Sequence, residues 1–541
     1  MRTTPHWSKA RHRAYSPEVA PTTLMRHLTL IFCLLAAPAA AAPLRKPHPA
    51  AGLVIASIRI ETHNVFDTSV PPENKLLYKA ANRLHIKTFD SVIQRELLFE
   101  VGDKYDPLLI EETERNLRGL GFIRRAEISA TINAQGAADV IVRTYDSWTL
   151  EVVASFKRAG GATNIKAGLA EHNILGQGKS GSAIYSRNGG AESKSFAYKD
   201  VQFLHYKRLQ YSMVAVTAPG NQNFSMSLNR PFYASIARRA AGATVSYGSS
   251  AVGEGVSRRV GEVGTNYGVA FATSTERTRR VNFGLLTRRS QSNGPVPGLE
   301  QLTFLKVGAD WQELDFLTAR RINNFTHDED FNLGLGIFPT VAWAPKIRAL
   351  GTTQAQIIPR IDVTKGFTWS NQLLLLKSGY SSKYVNGANG NTVASFDAAF
   401  FLRALRFQTL AFHAGVDLGW KLDALHQLSL GEMNGLRGYG LSESAGNRRF
   451  IFNIEDRIYV WDDLFSLMDV GSVIFYDMGN AWASASRIAG ADLKHSVGLG
   501  LRLAPSRSGS NSPVRIDMAF PLSRQPGRPA WSLSILAGQA F

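Results

Sequence analysis

From about residue 148 to Phe541 the sequence alternates apolar and polar residues in segments of roughly ten, separated by Gly, Asn, Ser and Pro. The last three segments show the pattern most plainly. In "SVGLGLRLAP", Val497, Leu499, Leu501 and Leu503 share one face, and Gly498, Gly500 and Arg502 the other. In "PVRIDMAF", Val514, Ile516, Met518 and Phe520 oppose Arg515, Asp517 and Ala519. In "WSLSILAGQAF", Trp531, Leu533, Ile535 and Phe541 oppose Ser532, Ser534 and Gly538. Alternation alone fits any half-buried sheet, including that of a large secreted β-protein. Here the second face carries charge and glycine over residues 149–541, and beyond the N-terminal leader no uncharged run of about 18 apolar residues could form a spanning helix. In a bilayer every backbone N–H and C=O must be paired within the protein, which leaves a closed antiparallel barrel. The expectation is a mainly β protein with a transmembrane antiparallel β-barrel over residues 149–541. About 16 strands, at roughly 24 residues each with their turns, would fill that length. A plain count of alternating segments approaches twenty; some of those between about 205 and 350 read equally as loop hairpins, and the alternation leaves the number open.

The chain should not be read from its first residue. Met25-Arg26-His27 precedes "LTLIFCLLAAPAAAAP", a basic start, an apolar run and an Ala-rich cleavage zone. That is the layout of a secretory signal peptide, too short to span a membrane. Residues 1–42 are therefore assigned to an N-terminal extension and signal peptide, with cleavage near Ala40 to Ala42 and Met25 as an alternative start. Cys33, the only cysteine, lies in the apolar run behind Phe32 and not behind the small residue of a lipoprotein signal. The mature chain is then exported without disulfides. The net charge of the whole sequence is +18, yet residues 51–150 hold 12 Lys/Arg and 14 Asp/Glu, so the excess lies beyond them. In an exported protein that excess suits anionic lipid or lipopolysaccharide phosphate, not nucleic acid.

Residues 51–148 follow a different pattern, that of a small α+β domain. "VIASIRIE" alternates and reads as a strand. "TFDSVIQRELLFEVGD" reads as a helix with Thr88 and Asp90 as candidate caps. Pro107 opens a second helix, "PLLIEETERNLRGLG", with Ile110, Thr113, Leu117 and Leu120 on one face and Gly119 and Gly121 ending it. The strands "FIRRAEISATI" and "ADVIVRTYD" follow, and residues 63–86 read as an insertion after the first strand.

"GEMNGLRGYG", residues 431–440, places Arg437 among four glycines at what must be a loop. The next strand, "RRFIFNIEDRIYV", sets Arg449, Asn453, Glu455 and Arg457 opposite Phe450, Phe452 and Ile454. The one after it, "GSVIFYDMGNAW", carries Asp477. Arg437 is either a solvated loop arginine or, if its loop folds into the barrel, the cation between Glu455 and Asp477 on neighbouring strands. The motifs resemble those of the BamA/TamA superfamily of outer-membrane assembly proteins, the bacterial surface antigen family, which also contains the two-partner secretion transporters. "GLRGYG" is similar to its Arg-Gly-aromatic loop motif, at Arg437, Gly438 and Tyr439. "FYDMG" is similar to its Phe-x-Asp-x-Gly strand motif, at Phe475, Asp477 and Gly479. "NLRGLGFIRRAEI" and the element order of 51–148 resemble a POTRA domain, and "EHNILGQGKS" an early barrel segment. The resemblance implies a loop tucked into the lumen with Arg437 on Asp477, and an acidic partner at Glu455. It implies one POTRA-like domain in the periplasm and a barrel in the bacterial outer membrane. The family's insertases usually carry several such domains, and Gln539 stands where a terminal aromatic is often found.

Other motifs lead elsewhere and stop. "GQGKSG" matches a glycine-rich nucleotide loop, but a strand follows it and Asn173 stands where a glycine is needed. No Gly-x-Ser-x-Gly occurs, and the 12 histidines show no metal-binding spacing. "KRAGGATNIK" reads as a turn, either solvated or in contact with lipid phosphate. The implied function is non-enzymatic and needs no cofactor or metal: assisting insertion or translocation of unfolded outer-membrane or secreted client proteins, with outer-membrane lipid or lipopolysaccharide and periplasmic or lipoprotein partners. The alternative is a dedicated transporter for one passenger. The first strand near "EVVASFK" must pair with the terminal strand signal Trp531, Leu533, Ile535 and Phe541 to close the barrel, and Gly538 makes that seam weak.

Overall fold

The computed structural model describes residues 48–541, apart from 160–161, 189, 254–255, 294–297, 424–425, 484–491, 510–512 and 524–529. The leader, residues 1–42, and Cys33 lie outside the described residues.

Strand β1 (Ile55–His63) runs parallel to β3 (Ala138–Asp146), which pairs antiparallel with β2 (Ile123–Ile132), giving the order β1-β3-β2. Helices α1 (Leu76–Leu84), α2 (Asp90–Glu96) and α3 (Pro107–Arg118) lie between β1 and β2 in sequence. Helix α3 starts where Asp106 accepts a hydrogen bond from the Leu108 N–H (2.9 Å) and Pro107 needs no donor, and it buries Ile110, Thr113 and Leu117. Ile110 and Leu117 pack with Val92 and Ile93 of α2 and Val140 and Val142 of β3 as one core. Helix α2 is shorter than its sequence suggests and ends at Glu96. Thr88 is not its cap: its hydroxyl accepts from Asn173 Nδ2 (2.8 Å), and the N-cap is Phe89 with no side-chain bond. The insertion holds α1.

Everything after β3 is built around a closed antiparallel barrel. Its first six strands are short, 9 to 10 residues each: β4 (Leu150–Ala159), β5 (Ala162–Glu171), β6 (Lys179–Asn188), β7 (Ala191–Asp200), β8 (Gln210–Ala218) and β9 (Asn221–Arg230). Four long strands follow, β10 (Arg239–Gly253), β11 (Val256–Thr273), β12 (Arg277–Asn293) and β13 (Gly298–Glu313). A hairpin, β14 (Phe316–Ala319) and β15 (Glu329–Asn332), leaves the wall before β16 (Gly336–Ala344) resumes it. The wall continues through β17 (Gln356–Trp369), β18 (Gln372–Val385), β19 (Ala388–Leu405) and β20 (Gln408–Trp420). A second small hairpin, β21 (Leu428–Leu430) and β22 (Ser444–Gly446), also leaves it. The wall ends with β23 (Arg448–Leu464), β24 (Met468–Trp482), β25 (Lys494–Pro505), β26 (Val514–Pro521) and β27 (Ser532–Ala537).

The barrel has 20 strands, not about 16. The estimate failed because it assumed a uniform stretch of chain per strand, whereas β4 to β9 and their tight turns use far less. Among the described residues between 205 and 350, β14–β15 is the one loop hairpin, and the other alternating segments are wall strands. The number is even, so the first strand begins and the last strand ends at the same mouth, the one carrying the α+β unit; we call it the proximal mouth. Alternation places the side chains as the pattern requires: Val497, Leu499 and Leu501 are exposed on the outer face and Arg502 is buried inside. That outer surface is what a bilayer-spanning, outer-membrane-type β-barrel presents.

Among the described residues the ring closes between β27 and β4 through three register partners, Leu533 with Arg158, Ser534 with Lys157 and Ile535 with Phe156. Ser155 Oγ adds a bond to the Ile535 carbonyl (3.1 Å). The terminal strand is shorter than its sequence pattern. Trp531 precedes it, exposed. It stops at Ala537, and Gly538 turns the chain at φ 85°. Phe541 therefore does not share the outer face with Leu533 and Ile535. It enters the lumen, where its ring stacks on His413 (5.2 Å) beside the buried Phe401.

Candidate functional site

Residues 421–447 join β20 to β23 at the distal mouth and fold back into the lumen. Gly438 makes the entry possible: it sits at φ 90°, and a Cβ there would lie 3.3 Å from Ala519 and Pro521 of the wall. The loop is tied down at three further points. Tyr439 is buried and its hydroxyl donates to the His495 carbonyl (2.6 Å). The Gly438 N–H donates to Glu432 (2.7 Å), and Leu430 packs where Gly479 leaves room; a Cβ at Gly479 would lie 2.8 Å from the Leu430 side chain.

Arg437 is 1% exposed. Its Nε and Nη2 bond both oxygens of Asp477 at 2.7 and 2.8 Å, a bidentate fork, and its backbone N–H reaches the same carboxylate (3.2 Å). Its Nη1 donates to Glu455 Oε1 (2.7 Å), with Asp517 at 3.5 Å. The guanidinium lies 3.5 Å over the ring of Phe475, the aromatic of the strand motif. Glu455 and Asp477 face the lumen from β23 and β24 because Asn453 pairs in register with Asp477 and Glu455 with Phe475. The Arg437, Gly438, Tyr439, Glu455, Asp477 and Gly479 set is thus one packed cluster.

The cluster is larger than the sequence showed. Arg457 Nε donates to the second oxygen of Glu455 (2.8 Å), and Arg502 pairs with Asp517. Arg515 lies 3.7 Å from Asp517. The Arg437 guanidinium of the loop, three more from β23, β25 and β26, and three carboxylates from β23, β24 and β26 therefore share one interior cluster. The missing members had a signal: Arg502, Arg515 and Asp517 all lie on the polar faces of their strands. Their common depth was not visible, because it depends on the register that aligns Gly500 with Asp517 and Arg502 with Arg515.

A second insertion enters from the proximal mouth. Hairpin β14–β15 crosses from β13 and β16 to the opposite wall. Thr409 Oγ1 and the Tyr459 hydroxyl each donate to the Arg321 carbonyl at 2.8 Å, and Arg457 donates to that of Ile322. Phe325 packs edge-on against Tyr459 (5.0 Å). Glu329 shapes the hairpin tip by accepting the N–H groups of Ile322, Asn323 and Asn324 at 3.0 to 3.1 Å. At its base Arg118 of α3 pairs with Asp330 (2.7 Å) and the Arg115 guanidinium stacks 4.2 Å over Phe316. Strand β23 bridges the two insertions: one oxygen of Glu455 holds Arg437, the other holds Arg457, and Arg457 in turn reaches the Ile322 carbonyl. The C-terminal residues join them: Gln539 donates to the Asn323 carbonyl (3.1 Å) and accepts from Arg502 (3.1 Å).

Among the described residues no group of His, Cys, Asp and Glu is arranged to hold a metal ion. The "GQGKSG" stretch leads into strand β6, and the carbonyl of its Gly176 accepts from the Phe89 N–H (3.0 Å), seating the α+β unit on the barrel.

No protein-family model matches this chain, and no curated protein is a significant match. Among solved structures it is similar to BamA from Haemophilus ducreyi lacking POTRA domains 1–3, at 13% identity and a TM-score of 0.36, covering 90% of this chain and 85% of that one. It is also similar to CdiB from Acinetobacter baumannii, at 11% identity and a TM-score of 0.45, covering 95% and 96% of the two chains. For CdiB from Escherichia coli the identity is 11%, the TM-score 0.44 and the coverage 96% and 100%.

Proposed function

We propose that this barrel sits in the bacterial outer membrane, with residues 51–148 as a POTRA-like domain in the periplasm, and that it helps insert or translocate other outer-membrane or secreted proteins. The observation that carries the reading is the seam: three register partners close the ring, and the chain beyond them leaves the wall for the lumen. A strand edge so weakly paired is free to template an incoming strand. The order β1-β3-β2 leaves two further edges in the α+β unit, where an extended client can add by β-augmentation. Arg437, held by Glu455 and Asp477, fixes the distal loop over the strands leading to the seam. The clients are unfolded proteins. Lipid or lipopolysaccharide and periplasmic or lipoprotein partners complete the setting, and the mechanism is non-covalent.

The second reading, a dedicated transporter for one passenger, draws on the hairpin β14–β15, which reaches across to Thr409, Arg457 and Tyr459 and would shift to let a passenger through the lumen. Depletion separates the two. Under the first reading many barrel proteins fall together in the outer membrane, and crosslinked clients recovered with the protein are diverse. A single lost secreted protein, with the other barrels unchanged, would overturn the first reading in favour of the second.

A further inference from the structure

Helix α1 presents an apolar stripe away from the protein. Leu76, Leu77 and Leu84 are 81%, 62% and 78% exposed, with Ala80 between them. At 100° per residue these four lie within an arc of about 100°. The opposite face is the docked one. Tyr78 is buried against Phe66, and Asn82 exchanges hydrogen bonds with the Phe66 backbone at 2.8 and 3.2 Å. Lys75, Lys79 and Arg83 lie along one edge of the stripe, and no acidic residue occurs from Asn74 to Phe89.

The anchors of this segment show where the stripe lies. The Tyr78 hydroxyl donates to the Phe465 carbonyl in the β23–β24 turn, and Glu73 pairs with Arg507 in the β25–β26 turn. On the other side the Phe89 N–H reaches Gly176 in the β5–β6 turn. Between those turns in the ring come β27 and β4, so the segment straddles the seam. Beside Tyr78, Phe465 is 73% exposed and continues into the outward Trp461 and Val460 of β23. The helix is therefore anchored at the rim where the outward surface of the wall ends.

We propose that α1 is an interfacial helix that docks on the inner leaflet of the outer membrane beneath the seam and binds anionic phospholipid headgroups. Leucines enter the headgroup–acyl boundary and the cations meet phosphate, the composition of a membrane-surface helix. This rests on the membrane placement argued above. Wall strands β26 and β27 have only 8 and 6 residues, short of the roughly 9 to 11 that span a bilayer. The helix thus lies where the bilayer meets its thinnest wall.

The test uses the full-length protein with Cys33→Ser and with Ala80→Cys carrying an environment-sensitive nitrobenzoxadiazole probe, and Ala134→Cys in the β2–β3 turn as a reference. Both are reconstituted into phosphatidylcholine vesicles with or without phosphatidylglycerol, with heat-modifiable mobility confirming insertion. The Ala80 probe should be quenched by brominated acyl chains and shielded from iodide, and the Ala134 probe the reverse. Leu77→Asn with Leu84→Asn should abolish the lipid quenching while the barrel still inserts. Replacing Lys75, Lys79 and Arg83 by Gln should weaken docking by about fivefold per cation, and only in phosphatidylglycerol vesicles. An inserted barrel whose Ala80 probe is as open to iodide as Ala134 overturns the proposal, as does shielding that is already complete in detergent. Docking equal in both vesicle types overturns the anionic headgroup assignment. A barrel that fails to insert at all overturns the membrane placement itself.

Discussion

Strands β11 and β12 share 16 register partners, whereas β27 and β4 share three. Both pairs belong to one closed ring, built with the same hydrogen-bond pattern. At a net worth of roughly 1 kcal/mol per hydrogen bond, the first junction resists separation several times more strongly than the second. The flanking strands repeat the contrast. β10 to β13 are 15 to 18 residues long, and β26 and β27 are 8 and 6. A closed barrel is thus not uniformly closed: one side is a wall and the other a fastening. The polar clusters follow the same division. Arg437, Glu455, Asp477, Arg502 and Asp517 all belong to the strands approaching the seam, or to the loop laid over them.

The sharpest way to break this contrast is to lock each junction in turn. Lys157→Cys with Ser534→Cys places thiols on register partners across the seam, and Val263→Cys with Thr287→Cys does so between β11 and β12. The residues beyond Ala537 are unsuitable, since they have left the wall. Oxidation of the seam pair should stop assembly activity until a reductant is added, and oxidation of the wall pair should change little. If both locked proteins work normally, the seam does not open, and transport through the lumen replaces the lateral route.

The lock over the seam comes next in size. Arg437→Ala leaves Asp477 with only Asn453 Nδ2 (2.7 Å) as a side-chain partner, while Glu455 keeps Arg457. Removing one partner from so buried a pair costs about 3 to 5 kcal/mol, expressed here as release of the distal loop. Protease cleavage within residues 421–447 should rise steeply while the barrel stays heat-modifiable. Arg437→Lys should restore little, because an ammonium lacks the planar fork that reaches both Asp477 oxygens. Asp477→Asn should loosen the loop in the same sense, and the double variant should be no worse than Arg437→Ala. Additive losses would show that the two residues act independently.

A smaller effect tests the other insertion. His327, in the hairpin and outside the wall, is pushed down to about 4 from an ordinary 6.5 by burial, then by the nearby positive charges of Arg124 and Arg507, with Asp328 opposing and Arg320 adding. Docking favours the neutral ring, so its contribution is complete above about pH 6.5 and is lost as the pH falls from there toward 4. Proteolysis within the hairpin should therefore increase over that interval in the native protein, and His327→Gln should flatten the profile. The barrel wall, without this group, should show no matching transition.

What the sequence could show follows the same line between wall and fastening. Period-two alternation records which way a side chain points, so the inward Glu455, Asp477, Arg502 and Asp517 and the outward Leu499 and Leu501 were all legible. Helix α3 was legible through Pro107 and its spaced apolar residues. The number of strands was not, because nothing local distinguishes a wall strand from a loop hairpin with the same alternation. The Arg437–Glu455–Arg457–Ile322 chain was not, because it depends on two insertions from opposite mouths reaching β23 at one depth. The end of β27 was half legible: Gly538 marked the weak point, but alternation carried Phe541 onto the wrong face.

That last residue allows the finest test. Gly538 sits at φ 85°, and an added Cβ would meet nothing within 4 Å, so Gly538→Ala costs only the strain of the left-handed conformation, roughly 1 kcal/mol. The strain disappears if the last four residues straighten and continue along β4. The substitution should therefore lengthen the fastening and draw Phe541 away from His413 and from the Arg457 guanidinium, now 5.1 Å from its ring. A disulfide between His413→Cys and Phe541→Cys reports the tail position, and its yield should fall about fivefold in the Gly538→Ala background. Seam opening should slow by a similar factor. Phe541→Ala loosens the tail without extending the strand, so it should lower lumen packing and leave the seam partners unchanged. If Gly538→Ala alters neither crosslinking nor opening, the inward turn is not what keeps the seam short, and the brevity of β27 must come from β26, which itself offers only eight residues to pair.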